Sequence, residues 1–593
     1  MDARIWTAIL LCCISTLHAQ TVNSTHGLIS GQTTTVLGKP VHVFHGIPFA
    51  KPPINTLRFK HPLPAEPWYP DVKNATTQKA SCYQDIPHKR NPLEQLPSLV
   101  SEDCLYLNIF APPSSPHGAP KAVMVWLYGG GFSSGSINAP MFDGGILASV
   151  NDVVVVTVNY RLGVLGFLYL DANTVPGNMG LMDQRLAIKW VYENSHNFGG
   201  DSSRITIFGQ SAGGGSVSHH LLSPLSQPFF TSAIIESGSP LTSWDLLTDR
   251  EAKTNANAIA KKAKCSPRRT NVEIYECLNN KKAGDLVNLQ NGLVQGANVA
   301  FGPVVDGSFL PDRPLAILEK GAVKNASVLL GVNENEGALF LYYGHPTVFK
   351  WQDNLSISDA EFMADLDAQG KIQGGSNMTV RSLYQEYVLS RVESERDYVS
   401  IADEVLGDYA FKCPVTRFAG FLATSSPTYL YSFNHRLQSA TVPKWMGVKH
   451  GGELPLVWGH ALDPNVNLTF TDDEKTLSRV MMSYWTNFAK FGNPNGENSS
   501  LTQWPRFETM HERYLQLDVG SSLATSQGLR RRQCVFLYQT VPLVASLEKH
   551  TPKADTTSEP CIPPVGGQAR PTPAHTVFTT ALLVVWIAAQ IYY

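Results

Sequence analysis

The chain has 593 residues, of which 43% are hydrophobic and 16% charged, with a formal net charge of −2. That apolar content can build a large core, and nothing in the near-neutral balance points to nucleic acid or an anionic membrane surface as a partner. No internal repeat or long polar linker divides residues 20 to 540, so a single large catalytic domain with insertions is expected over 20–545.

The N-terminus reads as an export address. Arg4 precedes an apolar run from Ile5 to Ile14, and a small residue follows at Ala19, so residues 1–19 are expected to be a cleaved signal peptide. Leu17 departs from the small residue usual near such a site. Export agrees with N-x-S/T acceptors at Asn23, Asn74, Asn325, Asn354, Asn377, Asn467 and Asn498.

The apolar core follows in order. Ala122 to Tyr128 reads as a buried strand that runs into Gly129-Gly130-Gly131-Phe132. Val153 to Val158 is a second continuous apolar run, as expected of a parallel strand covered on both faces. Gly180 to Asn194 has helical spacing through Leu181, Leu186, Ile188 and Val191. Strands alternating with helices predict a doubly wound, mostly parallel α/β sheet with helical insertions.

Ile205 to Phe208 is a short β-branched and aromatic strand leading into Gly209-Gln210-Ser211-Ala212-Gly213 and a helix-forming segment. Strand, tight turn and helix around G-x-S-x-G present a serine hydroxyl on a strained elbow, which makes Ser211 the candidate nucleophile. A second match, Gly131-Phe132-Ser133-Ser134-Gly135, lies in a different kind of loop. Acyl transfer develops negative charge on a carbonyl oxygen, and rigid backbone N–H groups stabilise it. Gly130, Gly131 and Ala212 are the candidate donors, against the plainer reading of a glycine turn after a strand.

A nucleophilic serine needs an acid and a base further along the chain. Val328 to Val332 reads as a strand, and Asn333-Glu334-Asn335-Glu336-Gly337 follows it; spacing alone does not separate Glu334 from Glu336. Downstream histidines are His345, His435, His450, His460, His511 and His550, and His450 sits between glycines that leave room for an imidazole.

Past about Leu547 the chain turns rich in Thr, Pro and Ser, a composition that builds no core, so 546–567 is expected to be a stalk. Thr576 to Tyr593 is apolar and uncharged. Small residues at Gly566, Gly567 and Ala569, a polar spacer and this tail fit a GPI-attachment signal over 568–593 with Gly567 as the lipid site; a spanning anchor is the alternative. Once Cys12 and Cys13 leave with the signal peptide, six further cysteines permit 15 connectivities, among which order and loop size favour Cys82 with Cys104, Cys265 with Cys277 and Cys413 with Cys534. Cys561 is left over in the stalk, for an intermolecular disulfide and homodimer or for a free or capped thiol.

From about Val22 to Tyr538 the chain resembles the type-B carboxylesterase and cholinesterase family of the α/β-hydrolase fold. The resemblance is carried by EDCLYLN at 102–108, YGGGF at 128–132, NYRLGVLGF at 159–167, GNMGLMDQRLAIKWV at 177–191, FGGD at 198–201 and FGQSAGG at 208–214. GVNENEG at 331–337 and GVKHGGELPLVWG at 447–459 complete it. It implies a triad of Ser211, Glu336 and His450, an oxyanion hole at Gly130, Gly131 and Ala212, and the three disulfides, with no metal or organic cofactor.

The departures bear on substrate class. Cholinesterases typically carry Glu before the nucleophile, and this chain has neutral Gln210. Their cysteine loop holds a choline-stacking Trp, whereas residues 82–104 contain none. Leu339 stands where they place an aromatic, although Phe340 remains, and Ala297 to Phe301 is small where acetyl-selective members place Phe. A roomier, neutral pocket is expected among Phe132, Gln210, Trp244, Val299, Phe301, Leu339, Phe340 and Trp445, though these aromatics equally suit a core. The expectation is a serine carboxylesterase for neutral esters on the outer face of the plasma membrane. A cholinesterase and a catalytically silent adhesion protein of the same fold are the rivals, and an intact Ser, Glu and His set opposes the second.

Overall fold

The structure is a computed structural model. It describes residues 19–84, 95, 99–114, 118–265, 270–293, 299–372, 375, 377–497, 500–520 and 523–550. The signal segment 1–18, Ala297, Asn298, Asn498, Cys561, Gly567 and the rest of 551–593 therefore lie outside the described residues. Chain contacts divide the molecule into a unit ending at Ala545 and a second one beginning at Ser546, and every strand and disulfide described belongs to the first.

Thirteen strands form one large sheet. They are β1 (Ala19–Ser24), β2 (Gly27–Val36), β3 (Lys39–Pro48), β4 (Val72–Asn74), β5 (Tyr106–Ala111), β6 (Lys121–Leu127) and β7 (Val154–Val158). Then come β8 (Gly200–Gln210), β9 (Ser232–Glu236), β10 (Ser327–Asn333), β11 (Thr428–Phe433), β12 (Arg513–Leu517) and β13 (Ala524–Gln527). Their order is β1-β2-β3-β5-β7-β6-β8-β9-β10-β11-β12-β13, with β4 on β2. From β7 to β12 every neighbouring pair is parallel, while the outer ribbon β1-β2-β3-β5 and the last pair are antiparallel. This is the mostly parallel α/β-hydrolase sheet expected from the alternation of apolar runs and helical segments.

Burial explains the sequence pattern. The central strands are covered on both faces, so β7, β9, β11 and the last six residues of β8 are buried throughout and lack the apolar–polar alternation of a half-exposed strand. Trp126 of β6 packs against Phe142, Phe208 and Trp458 in the middle of that core.

Helix α1 (Met179–Asn194) follows the expected register within one residue, and α2 (Ala212–Leu222) opens directly after β8. Helix α3 (Ala338–Gly344) follows β10. Helix α4 (Asp472–Phe491) starts with a capping box, Thr471 accepting from the Glu474 amide, and stops at Gly492 in the left-handed conformation. All three cysteine pairs form as expected, Cys82–Cys104, Cys265–Cys277 and Cys413–Cys534. Ala19 already pairs with Gln32 in β1, so cleavage after it would leave the strand starting at Gln20.

Candidate active site

Ser211 stands between β8 and α2 at φ 58°, ψ −126°, a conformation rare for any residue with a side chain. It persists because neighbours over-determine it. The Ser211 amide donates to Glu236 O at the end of β9 (2.8 Å), and the Gly215 amide donates to Ser211 O (2.8 Å). The flanking glycines are enforced by contact, since a Cβ on Gly213 would lie 1.9 Å from Leu127 O and one on Gly209 would lie 2.6 Å from the same atom. The strand end of β6 therefore crosses the elbow at a distance only glycine permits. Ser133, in the second G-x-S-x-G match, lies in no such turn, and its hydroxyl donates to Gly130 O at 3.2 Å.

Gly130 and Gly131, just past β6, have φ 121° and 58°, and a Cβ on Gly130 would lie 2.1 Å from Ser134 O. Neither amide donates a hydrogen bond among the described residues, and Ala212, first in α2, carries one of the orphan N–H groups of a helix start. Three uncommitted donors thus border the Ser211 elbow.

Glu336 and His450, distant in the chain, meet past the ends of β10 and β11. Glu336 Oε2 is 2.5 Å from His450 Nδ1, with Glu336 fully buried. The other carboxylate oxygen accepts from Ser237 Oγ (2.5 Å) and from the Asn333 amide (2.7 Å). Glu334, left open by spacing, is exposed at the strand end, and burial of part of its side chain raises its pKa. His345, His435, His460 and His511 each face partners away from this point. The side chain of His550 lies outside the described residues.

The acid and base loops are stitched by asparagine. The Asn335 amide donates to Val448 O (3.0 Å), the Val448 amide donates to Asn335 Oδ1 (2.9 Å), and Asn333 Nδ2 donates to Lys449 O (2.9 Å). A Cβ on Gly447 would lie 2.1 Å from Asn335 Oδ1. The glycine expected to clear space for an imidazole instead lets these two loops dock.

Of the expected pocket residues, Phe340 sits edge-on to the His450 ring (centroids 5.1 Å apart), and Gln210 Nε2 lies 3.0 Å from His450 Nε2. Phe411 was not singled out by sequence, yet its ring is 4.7 Å from the imidazole, with Trp244 and Phe340 packed on it. Its segment, Asp408–Lys412, is a single π-helical turn, a local irregularity often found at functional sites. Nothing in the composition of that turn marks Phe411. Phe132 and Phe301 are buried in the main core, and Val299 borders Gly131. Leu339 and Trp445 pack with Val442 and Met446 in a small separate cluster.

Behind the acid lie two further buried carboxyls. Glu236 Oε1 accepts from Trp485 Nε1 of α4 (2.7 Å), and Glu453 Oε2 accepts from Asn333 Nδ2 (2.5 Å). Burial, and then the neighbouring Glu453, push Glu236 well above the ordinary value of 4.5. Glu453 is pushed to about 6, mainly by burial and then by Glu336.

The chain matches the carboxylesterase family over residues 18–537. It is 41% identical over 532 residues to a cholinesterase of Mus musculus, spanning 88% of this chain and 87% of that protein. It is 36% identical over 568 residues to an acetylcholinesterase of Bungarus fasciatus, spanning 93% and 92%.

A carboxyl raised in the fold keeps its proton at pH values where the unfolded chain has released it, so stability falls as pH rises above 4.5. Glu236→Gln replaces that carboxyl with a neutral group that still presents an oxygen to Trp485. The decline of Tm with rising pH should flatten, with the variant gaining on the wild type at neutral pH. Thermal unfolding from pH 4.5 upward checks this, and parallel curves would mean that Glu236 ionises in the fold.

Proposed function

The chain belongs to the carboxylesterase family and is a serine carboxylic ester hydrolase, and on that premise we propose that Ser211 is its nucleophile, His450 its general base and Glu336 the acid that orients the base. Ser211 Oγ attacks the ester carbonyl while its proton passes to His450 Nε2. Glu336 holds the Nδ1 proton and balances the imidazolium that forms. The amides of Gly130, Gly131 and Ala212 receive the oxyanion, each such donor contributing about 3 kcal/mol. His450 then protonates the departing alcohol oxygen and activates the water that releases the acid. The observation that carries this reading is the buried 2.5 Å Glu336–His450 hydrogen bond beside a serine held at positive φ.

The substrates we propose are neutral carboxylic esters. Gln210 puts a neutral amide against His450, the 82–104 loop has no Trp, and Leu339 belongs to a cluster apart from the imidazole. A cholinesterase is the second reading, favoured by the names of both relatives and by the Phe340 ring that remains against His450. We further propose a cleaved signal peptide, glycosylation at the seven asparagines named above and a lipid anchor near Gly567, which holds the enzyme on the outer cell surface. These rest on sequence; among the described residues no helix is long and apolar enough to cross a membrane.

Ser211→Ala should abolish fluorophosphonate labelling and lower ester turnover by several orders of magnitude at an unchanged Tm. Glu336→Gln should be nearly as damaging, whereas Glu334→Gln keeps most activity; the reverse order would overturn the choice of acid.

Selectivity is measured with 3,3-dimethylbutyl acetate against acetylcholine, a pair that differs essentially in charge. Loss of one aromatic face lowers attraction for a quaternary ammonium by about 0.5–2 kcal/mol, up to roughly thirtyfold, so the neutral ester should show the higher kcat/KM. A tenfold or greater preference for acetylcholine returns the enzyme to the cholinesterases.

Phosphatidylinositol-specific phospholipase C should release the activity from intact cells. Retention together with a detectable tag beyond Tyr593 would indicate a spanning anchor instead.

A further inference from the structure

We propose that Gln210 is a positioning residue that latches the base, occupying in the free enzyme the nitrogen that must take the serine proton. The inference rests on the assignment of His450 as base and goes beyond it.

The direction of the bond follows from the proposed role of Glu336. As a carboxylate it accepts, which puts the hydrogen of His450 on Nδ1, 2.5 Å from Oε2. In a neutral imidazole Nε2 then carries the lone pair, and its partner at 3.0 Å is the amide nitrogen of Gln210. An amide nitrogen donates and never accepts, so the lone pair is engaged by Gln210. Ser211 Oγ makes no hydrogen bond to His450 among the described residues, although the two side chains belong to one site.

The surroundings leave Gln210 as the side chain bonded to that nitrogen. Glu336 faces Nδ1, the Phe340 and Phe411 rings cover the imidazole, the Lys449 ammonium donates to the His450 carbonyl, and Glu453 acts on the ring through charge alone. The carboxamide itself lies between two glycines. A Cβ on Gly129 would be 3.0 Å from Gln210 Oε1, and a Cβ on Gly451 would be 3.5 Å from Gln210 Nε2. No side chain at either glycine blocks rotation of the amide, and rotation is what release requires.

The latch serves two protonation states. In the resting enzyme the NH2 group donates to Nε2. When Ser211 attacks, the amide must withdraw, the Oγ–carbon bond forms, and the proton moves from Oγ to Nε2. The imidazolium then has an Nε2–H, which the carboxamide can accept through Oε1 after turning over, until that proton passes to the leaving alcohol oxygen. A carboxylate at the same position could not hold the neutral base, because it has no hydrogen to donate.

Loss of the latch should couple two readouts. Gln210→Met keeps the bulk and removes the hydrogen bond, freeing Nε2 both for the serine and for solvent protons. The plateau rate of Ser211 labelling by a fluorophosphonate should rise about threefold to tenfold, and the acid limb of its pH profile should move up by about 0.5–1 pH unit, because one hydrogen bond governs both. Gln210→Glu accepts from the protonated ring, so its acid limb should move up by about 1 unit or more. The acid limb of either variant decides the matter if the other fails to fold, as judged by Tm. A slower labelling rate with an unmoved acid limb makes Gln210 a packing residue and overturns the latch, as does no change in either quantity. Labelling that survives in His450→Ala would instead overturn the assignment of the base, a separate failure.

Discussion

A serine held in left-handed backbone at the end of β8 is the constraint around which the site is assembled. Such a conformation costs on the order of 1–3 kcal/mol in isolation, so it exists only where the surroundings over-determine it. They do so from three directions. The end of β9 accepts the Ser211 amide, the first turn of α2 donates back to its carbonyl, and the end of β6 crosses within 2.6 Å or less of where Cβ atoms on Gly209 and Gly213 would be. Those contacts require three neighbouring parallel strands in fixed register. The strained turn and the sheet are therefore one problem with one solution, and the placement of the Ser211 side chain follows from it.

The same sheet order fixes the electrostatics. The residues proposed for catalysis collect beyond the carboxyl ends of β6, β8, β10 and β11, the edge where open α/β sheets gather functional groups. There the acid loop and the base loop dock through Asn333 and Asn335, which makes the Glu336–His450 distance a property of loop–loop hydrogen bonding. Ser237, directly after β9, supplies a further donor to Glu336. Glu336 is fully buried and takes part in three hydrogen bonds, and the nearby Glu236 and Glu453 are raised mainly by their own burial.

Family membership leaves the substrate class open, and Gln210 is where the proposed preference for neutral esters rests. The relatives are a cholinesterase and an acetylcholinesterase, and the fold and the serine–histidine–glutamate arrangement are compatible with either ester class. Around the imidazole stand a neutral amide from Gln210 and the rings of Phe340 and Phe411, with Trp244 packed on Phe411. On the proposed roles, Gln210 presents a neutral amide both to a substrate and to His450.

Much of this was legible in the residues themselves. Continuous apolar runs marked β6, β7 and β10 because strands buried on both faces carry no polar alternation, and G-x-S-x-G after such a run marked the elbow because only glycine tolerates those approaches. Loop size together with the family resemblance favoured, among 15 connectivities, the three disulfides that form. Composition could not separate Glu334 from Glu336, since both follow the same strand two residues apart and only the docked His450 loop distinguishes the buried side chain from the exposed one. Nor could it find Phe411 or Ser237, ordinary residues whose relevance comes from contacts made across long stretches of chain. Local pattern determines which segments become strands and turns, because those preferences act over a few residues. Which side chains meet at the sheet's edge is decided by strand order and loop docking, which no local preference encodes.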